Sequence, residues 1–232
     1  MELNTNDVGV IVFARMNSNR LPSKAMKMIG GFPLVERVIR RAQLTGHQVI
    51  LATSDKSEDD ILETSAKNAG FNCFRGSENN VLERAVLASE KFGFKAFARL
   101  CGDRPLFSVQ EMKFAIAEWT AFESNKKPDL ITNHYPEKCV RGLTTEIIST
   151  QALRIQLDNY PDEEQQEHLT AGFYRNSKNY NIKSIKPRYK KWSKHAGFAV
   201  DTEDDFEVIS QFISKHPELD YELEAAELAL LK

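Results

Sequence analysis

The chain has 232 residues, 41% of them hydrophobic, enough for one sizeable core with at most a small annex. Its 31 Lys and Arg nearly balance 33 Asp and Glu, so bulk charge calls for no nucleic acid and no membrane surface, and no apolar run approaches a membrane span. Cys73, Cys101 and Cys139 are odd in number and lack metal-ligand spacing, which argues against a disulfide framework and for a reducing, cytoplasmic setting.

The opening MELNTNDV lacks the basic and apolar regions of a secretory signal. Val8, Val10, Ile11, Val12 and Phe13 then form a nearly continuous apolar run, as in a strand covered on both faces. The run empties into the stretch IVFARMNSNRLPSK, where Arg15, Arg20 and Lys24 arrive within ten positions and Pro22 stiffens the exit. Open α/β proteins bind anionic ligands at the carboxyl ends of parallel strands. A guanidinium fork and an ammonium point charge both suit phosphate.

Gly30–Gly31 predicts a tight turn, and Leu34, Val38, Ile39 and Ala42 give the helical period over 33–44, with Pro33 in the first turn. A strand is expected over 48–53. A helix over 58–69 follows, with Ser57 and Asp60 as its capping box and Gly70 as its stop. A strand over 71–74, a helix over 80–92 and a strand over 94–101 complete a β-α-β-α-β-α-β order. That order predicts a mainly parallel sheet with helices on both faces, an α/β architecture. Beyond it we expect a helix over 108–122, a strand over 129–133, and an irregular, then extended, stretch over 134–148. Helices over 150–158 and 163–176, a strand over 180–186 and a basic loop over 187–197 come next. A short strand over 198–201 leads to a helix capped by Thr202 and Asp205, and a last helix covers 218–231. With no repeat or long linker, residues 1–232 read as one domain, with 134–195 an embellishment on the sheet.

Asp103 follows Cys101–Gly102 directly after a central strand, facing the same sheet edge as the cationic loop. Asp201 ends the run FAVD, and Thr202 already supplies the helix cap, so Asp201 has no evident structural duty. Two such carboxylates suit Mg²⁺, which takes one or two carboxylates plus phosphate oxygens. Glu146, Glu167 and His168 are candidates for contacts to substrate hydroxyls. Trp192 among the basic residues 188–191 reads as a solvated loop with one packed aromatic rather than a nucleic-acid patch. The phosphate-binding loop G-x-x-x-x-G-K-[ST], the dinucleotide fingerprint and the nucleophile elbow are absent from the sequence, which disfavours a P-loop kinase, a dehydrogenase and an α/β-hydrolase.

The ordered set FARMNSNRLPSK, FRGSENNVLERA, ARLCGDRPL, RGLTTEI, QEHLT and FAVDTEDDFE resembles the cytidylyltransferase family of the spore-coat polysaccharide and acylneuraminate type. The resemblance implies a Rossmann-like nucleotide-diphospho-sugar transferase fold with a C-terminal excursion, a Mg²⁺ cofactor, CTP and a sugar as substrates, and a homodimer. It implies that Arg15, Lys24 and Asp103 are catalytic and that Ala14, Arg15, Arg20, Lys24, Ser77, Arg99 and Gly102 bind the nucleotide. Arg141, Glu146, Glu167 and His168 would bind the sugar, and Asp103 and Asp201 the metal. The implied reaction joins CMP to a sugar acid or related sugar for surface glycan synthesis, with pyrophosphate released. Alternatives are a guanylyltransferase acting on a sugar 1-phosphate, a glycosyltransferase on a similar fold, and a non-catalytic sugar-nucleotide-binding relative. The chain departs from the family pattern at Phe13 (Gln), Cys101 (Thr), Thr144 (Asp) and Gln166 (Arg), and Asn79–Asn80 stand where acidic residues are common.

Overall fold

The computed structural model describes residues 7–159, 161–187 and 197–218. β1 (Val8–Phe13) leads through the cationic loop to a hairpin of β2 (Met28–Ile29) and β3 (Phe32–Pro33), turned by Gly30–Gly31. In order follow α1 (Leu34–Gln43), β4 (Val49–Ser54), α2 (Asp60–Asn68), β5 (Asn72–Gly76), α3 (Val81–Lys91), β6 (Ala96–Cys101), α4 (Val109–Ala121) and β7 (Leu130–Thr132). β8 (Glu146–Ser149), α5 (Thr150–Asp158), α6 (Glu163–Glu167), α7 (Ala171–Arg175), β9 (Ile182–Ser184) and α8 (Glu203–Lys215) complete the described chain.

Seven strands form one sheet in the order β5-β4-β1-β6-β8-β7-β9. β5, β4, β1 and β6 are parallel, and β7 and β9 are parallel to each other. β8 lies antiparallel between β6 and β7. Successive side chains of a strand point to opposite faces. Val10 and Val12 accordingly join one core with Leu34, Val38 and Ile39 of α1, Ile116 of α4 and Ile213 of α8. Ile11 joins the other core with Ile50, Phe97, Leu82 and Val86 of α3, and Leu153 of α5. This double cover explains the unbroken apolar run of β1.

Three local expectations are corrected. The segment before α2 begins as a 3-10 turn over Ser57–Asp59, and the Ser57 hydroxyl turns to Glu58 instead of capping the helix. The helix expected over 163–176 is two: α6 and α7 part at His168, whose backbone is extended. Residues 198–201 form no strand. Phe198 and Val200 are apolar because they are buried, and their backbone N–H groups donate to the carbonyls of Arg141 and Asp103. A short apolar run does not distinguish a strand from a buried loop. Most of the basic loop over 187–197, with Trp192, and nearly all of the last helix over 218–231 lie outside the described residues. Cys73, Cys101 and Cys139 are free thiols, and burial pushes those of Cys73 and Cys139 up to about 11 and about 12.

The 198–201 segment is seated tightly against Gly142. Gly142 has φ +90, and a Cβ there would lie 2.4 Å from the backbone carbon of Phe198. Gly142→Ala is therefore expected to destabilise the protein by about 2 kcal/mol or more, from left-handed strain and backbone overlap together. Urea unfolding checks this; a midpoint unchanged from wild type would show that the segment yields freely.

Candidate active site

The site lies beyond the carboxyl ends of β1 and β6. Gly102 donates its N–H to the Phe13 carbonyl at 2.8 Å, and a Cβ on Gly102 would stand 2.9 Å from that of Ala14. Only glycine lets the two strand exits run this close. The cationic loop then folds on itself. Ser23, at φ 57, donates its N–H to the Met16 carbonyl, and Leu21 and Ala25 are buried beneath the loop. Asp59, 2% exposed, ties the loop to β4. It accepts from the Met16 N–H at 2.7 Å and, through its second oxygen, from the hydroxyls of Thr53 and Ser54 and the Ser54 N–H. Burial pushes the Asp59 carboxyl up, but these donors hold it below the usual carboxylate range.

Lys24 is the hub. Its ammonium donates to Asp103 Oδ2 at 2.6 Å, to the Val200 carbonyl at 2.9 Å and to Asp201 Oδ1 at 3.2 Å. Arg20 reaches the same Asp201 oxygen at 3.0 Å, and Arg141 Nη1 takes the other at 2.7 Å. Arg141 also pairs with Asp205, the partner of Thr202 in the capping box of α8. Burial raises the Asp201 carboxyl, yet Lys24, Arg141 and Arg20 hold it below the ordinary range. Two aspartates far apart in sequence thus converge on one cation.

Two cavities of about 450 Å³ each meet here. Arg15, Arg20, Lys24, Asp103, Asp201 and Arg84 are among the residues lining the first. Arg104, Arg99, Glu146, Arg141, His134 and Tyr174 are among those lining the second. His168, in the break between α6 and α7, lines both. Inside the second cavity Glu146, its side chain 3% exposed, accepts from Arg99 at 2.8 Å and from the Tyr174 hydroxyl at 2.7 Å. Burial raises the Glu146 carboxyl, but Arg99, Tyr174 and Arg104 bring it below its usual value. Burial lowers the His134 imidazole despite the nearby Glu146.

The expected residues divide between these spaces. Ala14, Arg15, Arg20, Lys24, Gly102, Asp103, Glu167 and Asp201 line the first cavity, with Glu167 3.6 Å from Arg15. Arg141 and Glu146 line the second, and so does Arg99, which the sequence had grouped with the nucleotide. Ser77 lines neither; its hydroxyl accepts from the Asn80 N–H and its carbonyl from Arg84. Sequence reasoning passed over Asp59, Arg84 and Arg104. Arg84 stands in the quoted stretch FRGSENNVLERA, whereas nothing in the SEDD run singles out Asp59 before the fold brings Met16 to it.

Comparison with known proteins bears on the family and the fold. A family profile described as cytidylyltransferase matches residues 9–227. The spore coat polysaccharide biosynthesis protein SpsF of Bacillus subtilis is 28% identical over 90% of this chain and 88% of its own length. A solved cytidylyltransferase from Leptospira borgpetersenii shares the fold with a TM-score of 0.86 at 24% identity, covering 97% of this chain and 92% of its own. CMP:2-keto-3-deoxy-manno-octonic acid synthetase complexed with CTP does so at 0.68 and 17% identity, over 90% of this chain and 99% of its own. The seven-stranded, mostly parallel sheet and the profile spanning nearly the whole sequence place this chain in the cytidylyltransferase family.

Proposed function

We propose that the protein transfers the CMP group of CTP to an oxygen of a sugar acid or related sugar, as a step in surface glycan synthesis. The observation that carries this reading is the convergence of Asp103 and Asp201 on the Lys24 ammonium at the wall of a cavity also lined by Arg15 and Arg20. CTP occupies the first cavity, with Arg15, Arg20 and Lys24 on its phosphates. The acceptor occupies the second, and its attacking oxygen enters where His168 borders both. That oxygen bonds to the α-phosphorus while the bond to the bridging oxygen breaks, and pyrophosphate leaves. Charge neutralisation and positioning supply most of the catalysis in such a displacement.

Asp103 and Asp201 suit a divalent cation, because both already accept the same positive charge. No cluster of three or more His, Cys, Asp or Glu stands ready as a metal cage among the described residues, which agrees with Mg²⁺ taking its other ligands from phosphate and water. Bound there, Mg²⁺ would neutralise developing charge on the transferring and leaving groups.

An acidic acceptor is favoured by the second cavity. Arg99 is matched by Glu146 and Arg141 by Asp201 and Asp205. Arg104 donates to the Thr144 carbonyl at 3.2 Å and acts on Glu146 only from farther away, with no carboxylate within ion-pair distance among the described residues. A carboxylate on the sugar would supply one. The reading includes a homodimer in the cytoplasm. The homodimer follows from the family resemblance, which makes residues 134–195 the dimerising excursion, and the three free thiols support a reducing setting. Among the described residues no helix is long and apolar enough to cross a membrane.

The test is pyrophosphate release from purified protein with Mg²⁺, each of the four NTPs, and a panel of sugar acids and sugar phosphates. Release is expected with CTP and a sugar acid. Release confined to GTP and a sugar 1-phosphate would overturn the substrate assignment. Nucleotide binding by thermal shift without any release would make the protein a binding relative.

A further inference from the structure

Arg84 projects from the first turn and a half of α3, and it is 3% exposed. Side chains on a helix lean toward its N-terminus, and the guanidinium accordingly reaches back, donating through Nη1 to the Ser77 carbonyl at 2.9 Å. Its Nε is buried without a hydrogen-bond partner. The charge centre stands 6.0 Å from the Phe13 ring centroid, a cation-π contact. Among the described residues no carboxylate comes within ion-pair distance of it; Asp59, Asp55 and Glu78 act on it only from farther away.

A buried cation with a neutral acceptor and no counter-charge opposes folding. Arg15, on the same cavity, worsens the position by repulsion. Burial first, and Arg15 second, bring the Arg84 guanidinium down to about 10. Arg84 also lines the first cavity, as does Val81 at the start of α3, where the helix dipole is positive. An anionic oxygen in that cavity would offset the burial of Arg84 and its repulsion by Arg15 at once. The side chain is not free to swing out to solvent for lack of one. Its stem is packed, and a Cβ on Gly76 would lie only 3.1 Å from Arg84 Cγ.

We infer that Arg84 is a nucleotide-binding residue, a buried guanidinium held on the first cavity to contact a phosphate oxygen of the bound nucleotide. The inference rests on reading that cavity as the nucleotide site and extends it. Arg15, Arg20 and Lys24 reach the phosphates from the loop after β1, and Arg84 reaches them from α3, beside Phe13. The uncompensated charge is then a cost of the apo fold that ligand binding removes, as is common where a site is built for an anion.

Titration calorimetry with CTP, CMP and cytidine, on wild type, Arg84→Met, Arg84→Lys and Lys24→Ala, tests this. Arg84→Met is expected to weaken CTP and CMP at least tenfold and to leave cytidine unchanged. Arg84→Lys, which keeps the charge but loses the fork, should fall between. The apo Tm of Arg84→Met is expected to equal or exceed that of wild type, because an unpaired buried charge has gone. CTP affinity of Arg84→Met within twofold of wild type would overturn the inference and assign Arg84 to the fold. An equal loss for cytidine and CTP would also overturn it, by moving the contact to the base or ribose. Should Arg84→Met fail to fold, Arg84→Gln carries the same comparison. Wild type that binds no CTP sinks the cavity reading itself. Binding lost in Lys24→Ala but kept in Arg84→Met leaves that reading standing and removes only the inference.

Discussion

Replacing Lys24 with Ala is expected to lower kcat/KM for pyrophosphate release by about 10²–10³-fold, the loss seen when one pre-organised charge stabiliser is removed from a transition state. The geometry argues for a large effect. The ammonium meets three oxygens, from Asp103, Val200 and Asp201, at 2.6, 2.9 and 3.2 Å, one for each of its donors. A planar guanidinium cannot match that arrangement, so Lys24→Arg is expected to rescue little. The fold should survive either change, because Arg20 and Arg141 still neutralise Asp201. A second readout follows from Lys24 standing between the two carboxylates. With Lys24→Met they face each other without it, and Mn²⁺ should bind in the absence of nucleotide more tightly than to wild type, as followed by electron paramagnetic resonance. Turnover of Lys24→Ala within tenfold of wild type would refute the assignment of Lys24 to the phosphates.

The phosphate side of this site was legible in the sequence because its chemistry is local. Arg15, Arg20 and Lys24 sit in one loop after one strand, and Asp103 follows another strand of the same sheet, so strand order alone brings them to one edge. Asp201 was found for a different reason: Thr202 explained the cap and left the aspartate over, and the capping box is indeed formed by Thr202 and Asp205. What the sequence hid depends on contacts across long separations. Asp59 holds the Met16 N–H from 43 residues away, and no periodicity marks a residue chosen for that. For Arg99 the resemblance implied a nucleotide contact. In the structure it lines the second cavity, paired with Glu146 of the antiparallel neighbour β8, a pairing invisible before the sheet order is known. The run FAVD misled in the same way: burial from above the sheet produced an apolar stretch without a strand partner.

That Arg99–Glu146 pair carries the second large effect. Glu146→Gln keeps the shape of the side chain but leaves the Arg99 guanidinium facing a neutral amide in a buried position, and it is expected to destabilise the protein by about 3 kcal/mol at neutral pH. The Tyr174 hydroxyl bridges Glu146 Oε1 at 2.7 Å and the Thr132 hydroxyl at 3.0 Å, so the change disturbs a network rather than a single bond. Its pH dependence has a definite sign. The folded-state pKa of Glu146 lies below the ordinary 4.5, so the contribution of the charged pair is complete above about that pH and is lost as pH falls through the folded value. Wild type should therefore lose stability on acidification below pH 4.5 more steeply than Glu146→Gln. The gap between their urea-unfolding free energies should be widest at neutral pH and narrow toward pH 3. Asp59, Asp201 and Asp205 are also held below their ordinary values, but they titrate in both proteins and cancel from the difference. Parallel stability curves from pH 3 to pH 7 would mean that Glu146 titrates alike in the folded and unfolded protein, and the charged pair with Arg99 would then contribute nothing to stability.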